Sequence, residues 1–209
     1  MYMPKAFEES DPHILAELMR AFSFALIVTN GDDGPFGTHV PLHLDTEGER
    51  PTLFGHLARA NGHWQAFDGE TQALVVFQGP HAYISPSWYE SPAMVPTWNY
   101  AVVHAHGRPR VIEDAAGAAD VLRRLVGDYE SDATGNWSMD SLPDTLIAAQ
   151  LKGIVAFEIP IERLEGKWKM SQNRMPEDAQ GAQAGLAGLG GEENAAVARI
   201  MQDRLKARG

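Results

Sequence analysis

The hydrophobic pattern predicts helices near both ends of the chain and in its middle. Asp11 can cap a first helix, Pro12 suits its first turn, and apolar residues then recur at helical spacing at Ile14, Leu15, Leu18, Met19 and Phe22. An amphipathic helix is predicted over 114–129 and a shorter helix over 144–151. A last helix is predicted near 192–207, with an apolar stripe of Val197, Ile200, Met201 and Leu205.

The segments between these helices have the patterns of β-strands, predicted at 23–29, 36–44, 52–57, 73–78, 81–85, 99–111, 154–159 and 164–170. In the second segment Thr38 and Val40 fall on one face and His39 on the other. Pro41 cannot donate to a ladder, so that strand is expected to be irregular there. Strands in series with helices at the ends and in the crossovers predict a mainly β, α+β fold, a barrel with peripheral helices.

The domain organisation is predicted to be simple. A chain of 209 residues is long enough for one domain with a sizeable core, which we assign to 1–180. The Gly/Ala-rich stretch 181–191 predicts a flexible connection, and 192–209 a C-terminal helix.

Composition and charge exclude several classes of protein. There are no cysteines, which removes disulfides and thiolate chemistry. The net charge of −11 opposes nucleic acid, so direct DNA binding is possible but not supported by charge. No segment approaches the ~20 apolar residues of a membrane span. The chain also lacks an apolar leader, so no membrane association and a cytoplasmic location are expected.

The segment 56–64 predicts an anion site. A strand ends here in a short polar turn, and Arg59 is the only cation between Arg50 and Arg108. A guanidinium offers a planar fork of donors that suits phosphate, and Asn61 and the amides near Gly62 can add neutral donors. The competing interpretation is an ordinary turn whose arginine pairs with a surface acid.

Two further segments are rich in binding chemistry. Residues 83–89 and 95–100 crowd aromatic and small polar side chains into one loop, which is typical of a partner surface or a planar ligand; tertiary packing is the alternative. Residues 168–174 run from a strand into a donor-rich loop that can grip a phosphate or a flavin carbonyl, although an exposed strand end has the same composition.

Histidine pairs raise the question of a metal. His104 and His106 share one strand face, as do His39 and His43, and a cupin-like site uses such spacing. Arg108, Pro109 and Arg110 stand where a cupin carboxylate is usually found. We therefore expect no bound metal and interpret these histidines as strand residues, some of them donating to a ligand or partner.

Five segments together resemble the PaiB family, described as FMN-binding negative transcriptional regulators: 1–7, 56–61, 83–89, 95–100 and 169–174. They occur in that order and span nearly the whole chain. Gly62 departs from the proline that often follows the asparagine in the family, and it leaves the donors of the turn in place.

The resemblance implies a six-stranded FMN-binding split barrel that works as a homodimer, with FMN between the subunits. Arg59 and Asn61 would lie at the phosphate, and His56, in the same segment, would be a further cofactor-binding residue. Lys169, Ser171 and Gln172 would close the site. Thr38, His39 and Val40 would lie along the isoalloxazine ring, and Ser85, Trp88 and Tyr89 near the subunit boundary.

The resemblance implies the ligand more firmly than the activity, because fold and cofactor do not fix a reaction. A flavin-responsive regulator is the first hypothesis. An FMN-dependent oxidoreductase or flavin reductase and a haem-handling split-barrel protein are the alternatives. No catalytic residue is assigned.

Overall fold

The computed structural model describes residues 1–31 and 33–207. Nine strands occur among them: β1 (Glu8–Glu9), β2 (Phe24–Gly31), β3 (Gly34–Pro41), β4 (His43–Asp45), β5 (Thr52–Ala58), β6 (Ala73–Ile84), β7 (Thr97–Gly107), β8 (Arg110–Ile112) and β9 (Ile154–Lys169). Five α-helices accompany them: α1 (Pro12–Ala21), α2 (Ala115–Tyr129), α3 (Asp144–Leu151), α4 (Pro176–Leu189) and α5 (Glu192–Lys206).

The strands form one antiparallel sheet in the order β3-β2-β6-β7-β9-β5-β4, and β1 and β8 also pair with β9. β3 is therefore an edge strand; it pairs with β2 along its length, Val40 opposite Ala25 and Thr38 opposite Ile27. The nine strands exceed the six that the family resemblance implies.

Contacts divide the chain into two compact units. The terminal unit comprises 1–18, 78–103 and 165 onward, and the central unit comprises 19–77 and 104–164. β6, β7 and β9 contribute residues to both. Each unit has a core of fully buried side chains, such as Ile27, Leu53 and Phe157 in the central unit and Leu186 and Met201 in the terminal unit.

Close approach of strands fixes one glycine in the central unit. A Cβ on Gly107 would overlap the backbone carbonyl of Pro160 and crowd the side chain of Ile159. Backbone cannot move aside as a flexible side chain can, so β7 and β9 lie this close only because residue 107 has no side chain.

Three strand assignments differ from the prediction because the effect of a proline depends on its position. Residues 73–84 form one strand although Gly79 and Pro80 interrupt the hydrophobic pattern. The φ angle of proline is compatible with extended backbone, and the residue removes only one backbone N–H donor from the sheet. Residues 154–169 are likewise one strand through Pro160. By contrast, the predicted strand 99–111 ends at Gly107 and resumes as β8 after Pro109.

The predicted flexible connection is wrong for most of its length. Residues 181–189 lie in α4, and Gly190 and Gly191 alone, both with positive φ, separate α4 from α5. The small residues of α4 allow Trp88 to pack closely against the helix, since a Cβ on Gly185 would meet the indole of Trp88 at 2.5 Å. Alanine also has the highest intrinsic helix propensity.

Candidate cofactor site

The turn that follows β5 is held by its own side chains. Inward-facing Leu53, Gly55 and Leu57 are buried, and β5 ends at Ala58. A short 3-10 helix then runs over Gly62–Ala66, and the side-chain oxygen of Asn61 caps it by accepting from the backbone N–H of His63 at 3.1 Å. The cap fixes which way the amide of Asn61 faces.

Arg59 is anchored to backbone carbonyls. Its Nε donates to the carbonyl of Lys152 at 2.9 Å and its Nη2 to that of Ile154 at 2.7 Å, while its backbone N–H donates to Gly153 at 2.8 Å. A guanidinium has five N–H donors, so three remain open. The side chain is exposed, and within the described residues it meets no carboxylate. The competing interpretation, an arginine paired with a surface acid, is therefore wrong.

A hydrogen-bond network joins this turn to the edge strand. Asn61 Nδ2 donates to Thr38 Oγ1 at 3.3 Å, and His63 Nδ1 lies 2.9 Å from the same oxygen. On its other side His63 Nε2 lies 2.9 Å from Thr29 Oγ1. We call Thr29, Thr38, Asn61 and His63 the threonine–histidine network; with Arg59 beside it, the network makes up the candidate site of the central unit.

The sequence did not single out His63 as a site residue, although it lies in the segment that predicts the anion site. The side chain is only 3% exposed, and burial lowers the pKa of its imidazole, which is therefore neutral at pH 7. A histidine two residues after an N-cap asparagine was the available signal. The signal is incomplete without the partner threonines on β2 and β3, because the packing of the turn after β5 against those strands is not visible in the sequence.

The three predicted residues of β3 do not face one surface. Thr38 points toward the threonine–histidine network, whereas Val40 is 3% exposed and belongs to the core. His39 projects from the opposite face and stacks with the exposed Phe24, their ring centroids 6.0 Å apart and their planes at 20°. A ligand along this edge would thus meet the side chain of Thr38 or that of His39, on different faces of the strand.

His56 stands apart from these hydrogen bonds. It lies on the face of β5 opposite Leu53 and Leu57, its Nδ1 is buried without a hydrogen-bond partner among the described residues, and burial lowers the pKa of its imidazole. An unsatisfied buried nitrogen is rare and costly in a folded protein. His56 is therefore a polar residue of the central unit with an unmet hydrogen-bonding group.

In the terminal unit, the residues predicted at the subunit boundary have partners within the chain. Ser85 caps a 3-10 helix over Pro86–Trp88 by accepting from the Ser87 N–H at 3.3 Å. Trp88 packs against α4, and the Tyr89 ring lies under the guanidinium of Arg174, 5.3 Å from its centroid. The structure therefore shows tertiary packing for Trp88 and helix capping for Ser85.

The side chains of the donor-rich loop after β9 form hydrogen bonds to different parts of the terminal unit. The amide of Gln172 bonds the backbone of its own loop, at Trp168 and at Met170, and the buried hydroxyl of Ser171 accepts from Asn99 at 3.0 Å. Lys169 Nζ donates to Thr97 Oγ1 at 2.5 Å and to the Trp98 carbonyl. Burial, together with the cations of Arg174 and Lys167, lowers the pKa of Lys169.

Comparison with known proteins supplies the family. A family model described as "Putative FMN-binding domain" matches residues 1–163. The chain is also 36% identical over 209 residues to the Bacillus subtilis "Protease synthase and sporulation protein PAI 2", and the match covers 99% of both chains. The chain belongs to the PaiB family of FMN-binding proteins. FMN is its cofactor.

Solved structures agree with the PaiB-family fold. The flavocytochrome Anf3 of Azotobacter vinelandii has a TM-score of 0.62 at 16% identity, covering 80% of this chain and 72% of that one. An FAD and heme binding protein of Mycobacterium smegmatis has a TM-score of 0.59 at 15% identity, covering 78% and 73%. The predicted split-barrel class is confirmed. None of the described helices is both long and apolar enough to cross a membrane.

We expect this PaiB-family protein to lose stability as pH falls below about 6.5, the ordinary pKa of histidine. Burial depresses the pKa of half-buried His56 and of buried His63 in the folded state, so the unfolded chain takes up these protons first. The stabilisation is fully present above 6.5 and is lost as pH falls toward the folded-state pKa values. Urea unfolding at pH 7.5 and 5 measures it. His56→Leu should reduce the difference, leaving the part due to His63; an equally steep loss in the variant would contradict the assignment to His56.

Proposed function

We propose that this protein is an FMN-responsive regulator that acts as a homodimer, and that the turn after β5 binds the FMN phosphate. One observation carries the proposal: Arg59 is exposed and anchored, yet it has no carboxylate partner within the described residues. In a chain of net charge −11, other arginines take acidic partners, such as Arg108 with Glu162 and Arg124 with Asp45.

Anchoring prepares Arg59 for an anion. The two carbonyl bonds fix the plane of the guanidinium, so little side-chain entropy remains to be lost when a ligand binds. The remaining donors, with Asn61 and the amides near Gly62, suit the oxygens of a phosphate monoester. The phosphate is what separates FMN from riboflavin, so this turn would give the protein its preference for FMN.

We expect FMN to bind at micromolar affinity or tighter and riboflavin much more weakly. Arg59→Ala should cost FMN binding about 1.5–3 kcal/mol, the range for a hydrogen bond to a charged group. That corresponds to roughly 10- to 150-fold in Kd. Riboflavin binding should barely change, because riboflavin has no phosphate. Flavin fluorescence titration measures both ligands.

Arg123→Ala is the matched control, since it removes one exposed cation that is paired with Asp140. It should leave both affinities unchanged. Equal losses for FMN and riboflavin in Arg59→Ala would mean that Arg59 acts only by tethering residues 152–154, and the phosphate role would be lost.

The terminal unit carries a surface suited to a second copy of the chain. Tyr83 and Trp98 are 46% and 53% exposed and meet edge to face, with ring centroids 6.0 Å apart. Beside them lies a cavity of about 300 Å³, lined by Gln78, His81, Trp98, Tyr100, Ala101 and Val102. Aromatic side chains are enriched at protein interfaces, and exposed aromatic clusters usually indicate one. We propose that this surface is covered in the homodimer.

Light scattering on the FMN-saturated protein tests the dimer. Wild type should have the mass of two chains, and Trp98→Arg should shift it toward monomer because a charge is costly in an apolar interface. Trp137→Arg is the control, since Trp137 is comparably exposed, at 45%, in the central unit. A stable wild-type monomer, or dissociation by Trp137→Arg alone, would contradict the proposed surface.

Regulation is proposed to depend on FMN occupancy or a protein partner, with weak direct contact to DNA. The relative in Bacillus subtilis is named "Protease synthase and sporulation protein PAI 2", and the mention of sporulation supports a regulatory role. The richest basic surface is α5, with Arg199, Arg204 and Lys206, and Arg204 pairs there with Glu9. Arg208, also counted toward this surface in the sequence, lies outside the described residues.

We expect a mobility-shift assay with promoter fragments to detect only non-specific, salt-sensitive binding. Few free cations oppose a net charge of −11, so counterion release contributes little. Specific nanomolar binding at physiological salt, abolished by neutralising the cations of α5, would show that the protein contacts DNA as a regulator in its own right.

A further inference from the structure

The hydrogen bonds of the threonine–histidine network have a donor-to-acceptor order, which begins at Thr29. This residue is 2% exposed, and among the described residues its hydroxyl has one hydrogen-bond partner, His63 Nε2 at 2.9 Å. A buried hydroxyl whose hydrogen has no acceptor is destabilising, so the hydrogen points to an acceptor where one is in reach. Thr29 therefore donates, and Nε2 accepts.

The imidazole of His63 continues the same donor-to-acceptor order. Burial lowers the pKa of His63, and a neutral ring carries a single hydrogen. Since Nε2 accepts from Thr29, that hydrogen is on Nδ1. The Nδ1–H therefore donates to Thr38 Oγ1, 2.9 Å away.

Asn61 adds a second bond with the same direction. Its side-chain oxygen is occupied by the backbone N–H of His63, which turns its amide nitrogen toward Thr38. The oxygen of Thr38 thus receives hydrogen bonds from both His63 and Asn61. Its own hydrogen has no acceptor among the described residues, and the side chain is only half-buried on edge strand β3.

We propose that His63 is a positioning residue that makes the Thr38 hydroxyl a hydrogen-bond donor to an acceptor atom of the flavin ring. The inference rests on the proposed FMN site and on the ring position that the family resemblance implies for Thr38, and it adds the polarity of one contact. Thr29 and His63 do not touch the ligand; they act through Thr38. The site would therefore select a planar ligand that presents a ring nitrogen or a carbonyl oxygen to residue 38.

A double-mutant cycle tests whether Thr29 acts through Thr38. Thr38→Val should weaken FMN binding by about five- to tenfold, as expected for one net hydrogen bond. Thr38→Ser, which keeps the hydroxyl, should restore it. Thr29→Val should weaken binding by a few-fold in wild type and have no effect in Thr38→Val. Additive losses would overturn the relay, because coupled residues are not additive.

Thr52→Val is the matched control, since Thr52 is a strand threonine whose hydroxyl donates to the Arg50 carbonyl. It should leave FMN affinity unchanged. Riboflavin distinguishes contacts to the ring from contacts to the phosphate, because it has the ring alone. Thr38→Val should weaken the binding of riboflavin and of FMN by the same factor, whereas Arg59→Ala should weaken the binding of FMN alone. No effect of Thr38→Val on either ligand would overturn the inference while leaving the phosphate site intact.

Nitrogen NMR of His63 in the protein without ligand gives a readout independent of binding. At pH 7.5 the imidazole should be neutral with its hydrogen on Nδ1, and Thr29→Val should populate the other tautomer. A wild-type Nε2–H tautomer would overturn the relay even if FMN binds. Failure of wild type to bind FMN would instead refute the proposed site, and the tautomer would still decide the polarity of the network.

Discussion

The burial of His63 is the constraint on which the candidate site depends. A neutral imidazole in the interior needs one donor and one acceptor, and two threonine hydroxyls supply them at 2.9 Å on either side. Those threonines lie on β2 and β3, while the histidine follows β5. The satisfied ring therefore holds the turn after β5 against the edge strand. Asn61 is positioned by that connection, while the carbonyls of residues 152–154 hold Arg59 beside it.

The fold could be predicted from the sequence where local signals are sufficient. Helix α2 begins one residue after Asp114, whose side chain caps it, and α3 has the predicted bounds. Local signals failed where packing decides. Prolines at 80 and 160 lie within continuous strands, and the small residues of α4 form a helix that accommodates Trp88. In each case the deciding partner is distant in sequence.

The candidate site was predicted in part for the same reason. The spacing of basic residues drew attention to Arg59, but only the structure shows that backbone carbonyls and not an acid hold it. His63 was missed because its role depends on the packing of the turn after β5 against β2 and β3. The alternation of β3 implied that Thr38 and His39 face opposite ways, which the family resemblance did not take into account. Ser171 and Gln172 form hydrogen bonds within the protein, to Asn99 and to the backbone of their own loop. The composition of the loop cannot distinguish such internal hydrogen bonds from ligand binding.

An FMN titration followed by backbone amide NMR tests the central claim most directly, because it locates the ligand without any substitution. We expect the largest shifts at Thr38, Arg59, Asn61 and Gly62, and smaller shifts for riboflavin at 59–62 than at 38. Saturable FMN binding that leaves these four amides unmoved would contradict it.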